Sequence, residues 1–179
     1  MFDKGYRFVK SSRSRRNEGA LINEHLFAFN NKSGRRYMVQ VDEFKHNFYA
    51  IKFYPKELRS SPKRFSTHTG DFDMARIVRT CVDVMVSIYR KDPLASFGFI
   101  GSPSEGEQMA STTRFRIYAY VMANFFPPEK FQHAEDRGKS IYAIFNRSNG
   151  DSQLIEKVEV MANEIYNEDP LIQFIASIG

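Results

Sequence analysis

Two rhythms of apolar spacing run along this chain, and one gives way to the other near residue 71. Before it the period is two. Tyr37, Val39 and Val41 alternate with Met38 and Gln40, and Tyr49, Ile51 and Phe53 alternate with Phe48, Ala50 and Lys52, which is the repeat of a pleated strand. Three strands are predicted, Leu26–Asn30, Arg36–Val41 and Asn47–Tyr54. They are joined through Asn31-Lys32-Ser33-Gly34 and Asp42-Glu43-Phe44-Lys45-His46 into an antiparallel meander. Both faces of the meander carry apolar groups, so helices are expected to cover one of them. Ahead of it, Phe2, Tyr6, Phe8 and Val9 predict a short strand within residues 2–9. Ser11 to Gly19, with its arginines set among serines, reads as a mobile basic loop.

After residue 71, steps of three and four take over. Ile77, Val78, Cys81, Val82, Met85 and Ile88 predict a helix through Tyr89, capped by Asp71 or Asp73 and stopped by Asp92-Pro93. Leu94–Ile100 reads as a central strand in which Gly98 permits close approach of a neighbour. Gly101 to Ala110 is a polar loop. Ser111 or Thr112 caps a second helix to Phe126, with Phe115, Tyr118, Ala119, Met122 and Phe125 facing inward, and Pro127-Pro128 ends it. Ser140–Asn146 predicts another strand and Asn149-Gly150 a turn. Asp151 then caps a third helix with Leu154, Val158, Met161, Ala162 and Ile165 inward, closed by Asp169-Pro170. This order predicts a single α/β (α+β) domain over 1–179 with a mixed, largely antiparallel sheet. Its parts are a strand and basic loop in 1–24, the meander in 25–54, helix-strand-helix-strand-helix in 71–167, and a closing segment in 168–179.

Composition narrows the class more than the chemistry. A chain of 179 residues with 42% hydrophobic content can bury its own core. Seventeen Phe and nine Tyr with no Trp make that core aromatic. The single Cys81 excludes an internal disulfide, no apolar run approaches the roughly 20 residues of a membrane span, and the first residues lack a secretory signal. A cytoplasmic protein with no membrane contact is expected. The net charge of +5 is unevenly held, with 15 Lys/Arg against 6 Asp/Glu in residues 1–69 and 11 against 15 in residues 70–179. A basic first half gains from displacing counterions on a polyanion; a solvated basic face is the plainer reading.

Candidate chemistry gathers where the strand ending at Ile100 runs into the second helix, because unpaired amides converge at such a place. Gly101, Ser102, Ser104, Ser111 and Thr112 offer amide and hydroxyl donors there, and Arg114 and Arg116 offer charge. The segment Gly101-Ser102-Pro103-Ser104-Glu105-Gly106 is not a nucleophile elbow, since Gly101 precedes Ser104 by three residues where that motif needs two. His25, His46, His68 and His133 have no metal-ligand spacing, so no metal is expected. His133 with Glu135 and Asp136 reads either as an acid–base group or as a solvated polar loop. Cys81 is expected to be a core thiol, and Tyr118 a core ring whose hydroxyl can reach the cleft. Arg13, Arg15 and Arg16, together with Lys56, Arg59, Lys63 and Arg64, form two basic loops that flank a meander bearing Tyr37, Phe48, Tyr49, Phe53 and Tyr54. Cationic loops beside sheet aromatics can bind unpaired nucleic-acid bases.

The order of meander, helix, strand, helix, strand is similar to the acetyl-CoA-dependent N-acetyltransferase (GNAT) fold from its second strand onward, over about residues 25 to 146. Thr112-Thr113-Arg114-Phe115-Arg116-Ile117-Tyr118, followed by Asn124-Phe125-Phe126, resembles that family's late helix. The resemblance implies Tyr118 as general acid toward a departing thiolate, Glu105 or Glu107 as base for the amine, and acetyl-CoA as cofactor. The family's pyrophosphate loop falls here on Thr67-His68-Thr69-Gly70-Asp71-Phe72-Asp73-Met74, with one glycine and two aspartates where phosphate oxygens would arrive. The pattern also resembles small bacterial proteins with a similar strand, loop and arginine-rich helix.

With no complete catalytic set, the residues favour a non-enzymatic binding or interaction module of the kind bacteria use in regulation, stress response or defence. Its basic face would engage an anionic ligand or an acidic protein partner. A divergent GNAT-like acyltransferase and a nucleic-acid-binding protein are the alternatives. The apolar segment Leu171 to Ile178 is expected either to complete the core or to bury against a second copy in a homodimer.

Overall fold

A computed structural model describes residues 4–65, 70, 72–101, 106–138 and 140–165. Seven strands form one sheet in the order β1-β2-β3-β4-β5-β7-β6. These are β1 (Phe8–Glu18), β2 (Leu21–Asn30), β3 (Arg36–Phe44), β4 (Phe48–Pro55), β5 (Ser96–Ile100), β6 (Phe131–Asp136) and β7 (Ile141–Asn146). Every neighbouring pair is antiparallel except β4 and β5, which are parallel and joined by helix α1 (Met74–Tyr89). Helix α2 (Thr113–Phe125) connects β5 to β6, and α3 (Leu154–Ile165) follows β7. The single mixed α/β domain expected from the sequence is what the chain forms.

The period of two in β4 sorts its side chains between two cores. Tyr49, Ile51 and Phe53 point toward α1 and α2, where they meet Val78, Cys81, Met85, Phe115, Tyr118 and Met122. Phe48 and Ala50 point the other way, toward Leu154, Val158 and Met161 of α3. A third group, Leu26, Ala28, Met38 and Tyr54, packs with Phe65 from the loop after β4. Gly98 stands in register between Ala50 and Ala143, the two alanines beneath α3, so the small residue serves the close packing of that layer.

Three expectations are corrected. The segment read as a mobile basic loop is the body of β1, which pairs with β2 along its length. An edge strand needs only its backbone groups to join a sheet, and exposed charges are what such an edge tolerates best; polar composition therefore hid it. The register slips between Lys10 and Ser12 and between Arg15 and Glu18, and the chain turns back at Gly19-Ala20, with Gly19 at φ 63°. For the same reason β2 begins at Leu21 and not at Leu26, and Asp42 to Phe44 prolong β3; the turn is reduced to Lys45–Asn47, where His46 and Asn47 take positive φ. Finally, His133, Glu135 and Asp136 lie in the edge strand β6 and not in a loop.

The helix starts behave differently. Thr112 caps α2 as expected, its hydroxyl accepting from the Phe115 amide at 3.2 Å. Asp73 stands at the cap position of α1 without capping it, because its carboxylate accepts from the Tyr6 hydroxyl at 2.7 Å. Asp71, most of the Thr67–Asp71 part of the loop aligned with the pyrophosphate motif, and Leu171 to Ile178 lie outside the described residues.

Candidate functional site

The parallel pair is the place where the sheet opens. β4 and β5 pair only from Phe48↔Ser96 to Ile51↔Phe99. Beyond that, β4 stays with β3 as far as Pro55↔Tyr37, while β5 stays with β7 through Ile100↔Ile141 and a Gly101 amide bond to the Ser140 carbonyl at 2.8 Å. The two C-terminal strand ends therefore part, and an α/β sheet commonly holds ligands beyond such ends.

The first turn of α2 is pinned beside this opening. Gly101 has no room for a side chain, since a Cβ there would sit 2.6 Å from the Phe115 nitrogen. The Thr112 hydroxyl donates to the Gly101 carbonyl at 2.5 Å, and the Thr112 amide donates to the Ser140 hydroxyl at 2.9 Å. Glu107 accepts from both the amide and the hydroxyl of Thr113, at 2.6 and 2.8 Å. The helix N-terminus expected to receive an anion is thus already occupied by the chain's own Thr112 and Glu107. Ser111, at φ 51°, donates its amide to the Arg137 carbonyl at 2.7 Å. Ser102, Ser104 and Glu105 lie outside the described residues.

Arg114 and Arg116 do not act together. They are two residues apart on a helix and face different ways. Arg116 is exposed and reaches back to the Thr113 hydroxyl at 3.2 Å. Arg114 turns inward and is only 5% exposed. Its guanidinium lies 4.8 Å from the centre of the Phe53 ring and donates to the Phe65 carbonyl, while its Nε is buried with no hydrogen-bond partner among the described residues. Burial lowers its pKa, with the nearby Tyr118, Tyr37 and Glu107 acting against that; a guanidinium nonetheless stays charged.

Arg64 stands on the other side of the same segment. Its guanidinium lies 4.7 Å from the Phe65 ring and 5.6 Å from the Tyr54 ring, and donates to the Arg59 carbonyl at 3.1 Å. Its Nε is likewise buried and unpartnered among the described residues. Tyr54 and Phe65 meet edge to face at 5.6 Å. Burial raises the Tyr54 pKa, and Arg59 and Arg64 oppose that rise. Neither Arg64 nor Arg114 is in a salt bridge with any described carboxylate, whereas buried charges are normally paired. Lys56, Arg59 and Lys63 are exposed along the adjoining rim.

Tyr118 belongs to the core. Its ring stacks on Phe99 at 3.7 Å, it is 1% exposed, and its hydroxyl lies beside the Cys81 thiol. Burial holds its pKa well above the usual tyrosine value and pushes Cys81 to about 12. His133 is also spoken for, with Nδ1 2.6 Å from the Tyr142 hydroxyl and Nε2 2.6 Å from the Phe126 carbonyl. No group of His, Cys, Asp or Glu able to hold a metal ion occurs among the described residues.

The other basic set is remote. Arg13 and Arg15 are aligned across the sheet with Val41 and Glu43, near its opposite end from Pro55 and Lys56, roughly 20 Å along the strands. Arg16 lies on the opposite face from both and pairs with Glu24 at 3.2 Å. The two basic segments therefore do not form one surface. Phe53, Arg64 and Phe65, which build the site around Arg114, were not singled out together from the sequence; alternation placing Phe53 and Tyr54 on opposite faces at a strand end was the signal available. Among the described residues, no helix is long and apolar enough to cross a membrane. No protein-family model, curated protein or solved structure matches the chain.

Proposed function

We propose that this protein is a binding module for a small anionic ligand, a phosphate or carboxylate, seated where β4 and β5 part. The observation that carries the reading is the buried guanidinium Nε of Arg114, which has no hydrogen-bond partner among the described residues; that of Arg64, likewise buried and without one, lies by Phe65 and by Tyr54, whose ring is on the opposite face of β4 from Phe53. A bound anion supplies the missing countercharge and hydrogen-bond acceptor. Phe53 and Phe65 border Arg114 and exclude water, and so strengthen the interaction, and the exposed Lys56, Arg59 and Lys63 attract anions toward the opening.

Thermal unfolding with inorganic phosphate, pyrophosphate and acetate tests the proposal, using wild type and Arg114→Met. Ligand raises the wild-type melting temperature, while the variant shows no such rise. A variant that responds to ligand as wild type does removes Arg114 from the site.

The divergent acyltransferase is the second reading. In its favour stand the order of elements on which the resemblance rests and the end of β4–β5 pairing at Ile51 and Phe99. The position of the Tyr118 hydroxyl, against Cys81 inside the core, weighs on the other side. Saturable binding of acetyl-CoA at least tenfold tighter than that of pyrophosphate supports this reading; equal affinities support the simple anion module.

A further inference from the structure

The sheet has two edges, and only one of them is regular. β1 slips in register between Lys10 and Ser12 and again between Arg15 and Glu18, and such bulges interrupt the row of backbone groups that another strand would need. β6, at the other edge, keeps one unbroken register on β7 from Phe131↔Asn146 to Asp136↔Ile141. A single bond fixes which of its backbone groups face away from β7. The Arg147 amide donates to the Lys130 carbonyl at 2.9 Å, one pair beyond Phe131↔Asn146. Bonded and non-bonded pairs alternate along an antiparallel ladder, so Gln132, Ala134 and Asp136 bond to β7, while Phe131, His133 and Glu135 turn their amides and carbonyls outward. The β7 side agrees, because Asn146 donates its amide to the Ser96 hydroxyl of β5 at 2.9 Å, away from β6. The Phe131 amide turns back to the Pro127 carbonyl at 3.0 Å. The amides of His133 and Glu135, and the carbonyls of Phe131, His133 and Glu135, have no hydrogen bond among the described residues.

Charges on an edge strand ordinarily keep other strands away. Those of β6 are segregated, with Lys130 just before its first residue and Glu135 and Asp136 at its end. Lys130 is exposed and in no salt bridge among the described residues. An identical strand laid alongside in parallel brings like ends together. One turned by a two-fold axis brings the cationic end against the acidic end, so the strand is complementary to itself.

We infer that β6 is a self-association edge, which pairs antiparallel with β6 of a second copy about a two-fold axis at His133 and joins two seven-stranded sheets into one. Outward groups exchange bonds only with outward groups, and this register satisfies that condition. His133 opposes His133 of the second copy, each amide donating to the other's carbonyl, and the Glu135 amide of each copy donates to the Phe131 carbonyl of the other. Between them, Lys130 opposes Asp136 of the second copy and Gln132 opposes its Ala134. These are the close, non-bonded pairs, about 4.5 Å apart at Cα, whose side chains meet. Moving the register by two residues sets Lys130 against Ala134 or Gly138 and loses the charge pairing. The His133 ring is held within its own chain by the Tyr142 hydroxyl and the Phe126 carbonyl, which fixes the strand at the centre of the seam.

Sedimentation velocity at protein concentrations from low micromolar to near millimolar tests the seam. Wild type is expected to pass from monomer to dimer and no further, because a two-fold contact closes on itself. Glu135→Pro removes an outward amide and leaves the bonds to β7 in place; it is expected to sediment as a monomer throughout, while Glu135→Ala associates as wild type does. A circular dichroism spectrum equal to that of wild type confirms that the proline variant is folded. Lys130→Glu, at an exposed position, weakens association several-fold. Gln132→Cys combined with Ala134→Cys forms a disulfide between copies; Cys81, buried and with its thiol pushed up to about 12, does not compete. Arg114→Met associates as wild type does, so the seam and the anion site stand or fall separately. A wild type that stays monomeric at every concentration overturns the inference and leaves a strand of another protein as occupant of the edge. A dimer that both Glu135→Pro and Lys130→Glu leave intact overturns it as well, as does a dimer in which the paired cysteines form no disulfide.

Discussion

The arginines of β1 and those at the β4–β5 opening carry the same charge in opposite surroundings. Arg13 and Arg15 lie in water on an edge strand, where solvent screens them and their presence costs the fold almost nothing. Arg114 is enclosed by α2, Phe53 and Phe65, and is in no salt bridge with a carboxylate among the described residues. A charge on the surface is a matter of partner choice and association rate, whereas a charge inside is a matter of stability. The difference teaches that charge counts along a sequence do not rank binding sites; desolvation does.

The largest effect is expected where the enclosed region is built. Gly101→Ala forces a methyl group against the backbone of Phe115, and should destabilise the protein by about 3 kcal/mol in urea unfolding, erasing the contrast by displacing α2. Arg114→Met keeps the length of the side chain and removes the buried charge. It is expected to raise the stability of the ligand-free protein by about 1 kcal/mol; a loss of that size would show that the Phe65 bond and the Phe53 contact outweigh desolvation.

A smaller, pH-dependent effect separates His25 from the cations around it. Its folded pKa lies below the unfolded value, so the stability linked to its neutral form is complete above the unfolded pKa of about 6.5. That stability is lost as pH falls from there through the folded value, because the unfolded chain takes up the proton first. Unfolding curves of wild type and His25→Asn should converge as pH falls through this window. The smallest effect belongs to the exposed arginines of β1: Arg13→Gln and Arg15→Gln are expected to stay within about 0.5 kcal/mol of wild type.

Legibility followed apolar pattern. The meander strands β3 and β4, helices α1 and α2, and the Thr112 cap could be read because burial imposes periods of two and of about 3.6 on side chains. β1 and β6 could not, because strands at the two edges of the sheet are held by backbone bonds that leave polar composition unconstrained. The candidate site was legible in location, at the exit of β5 and the start of α2, but not in its members. Arg116 and Arg114 look alike in sequence, and the part played by Arg64 depends on where the chain after β4 folds back over Tyr54.

The sequence by itself determined the class of fold, the position of the core residues, and an excess of positive charge in the first half, since each follows from local period and composition. Only the tertiary structure decided which of those charges share a face and which are enclosed. The bulge at Ser11 turned Lys10 and Arg13 to the same side. Where β4–β5 pairing ends, Arg114 of α2 turned inward against Phe53 and Phe65. Both outcomes rest on strand register and on packing between segments distant in the chain, and no short-range pattern encodes either.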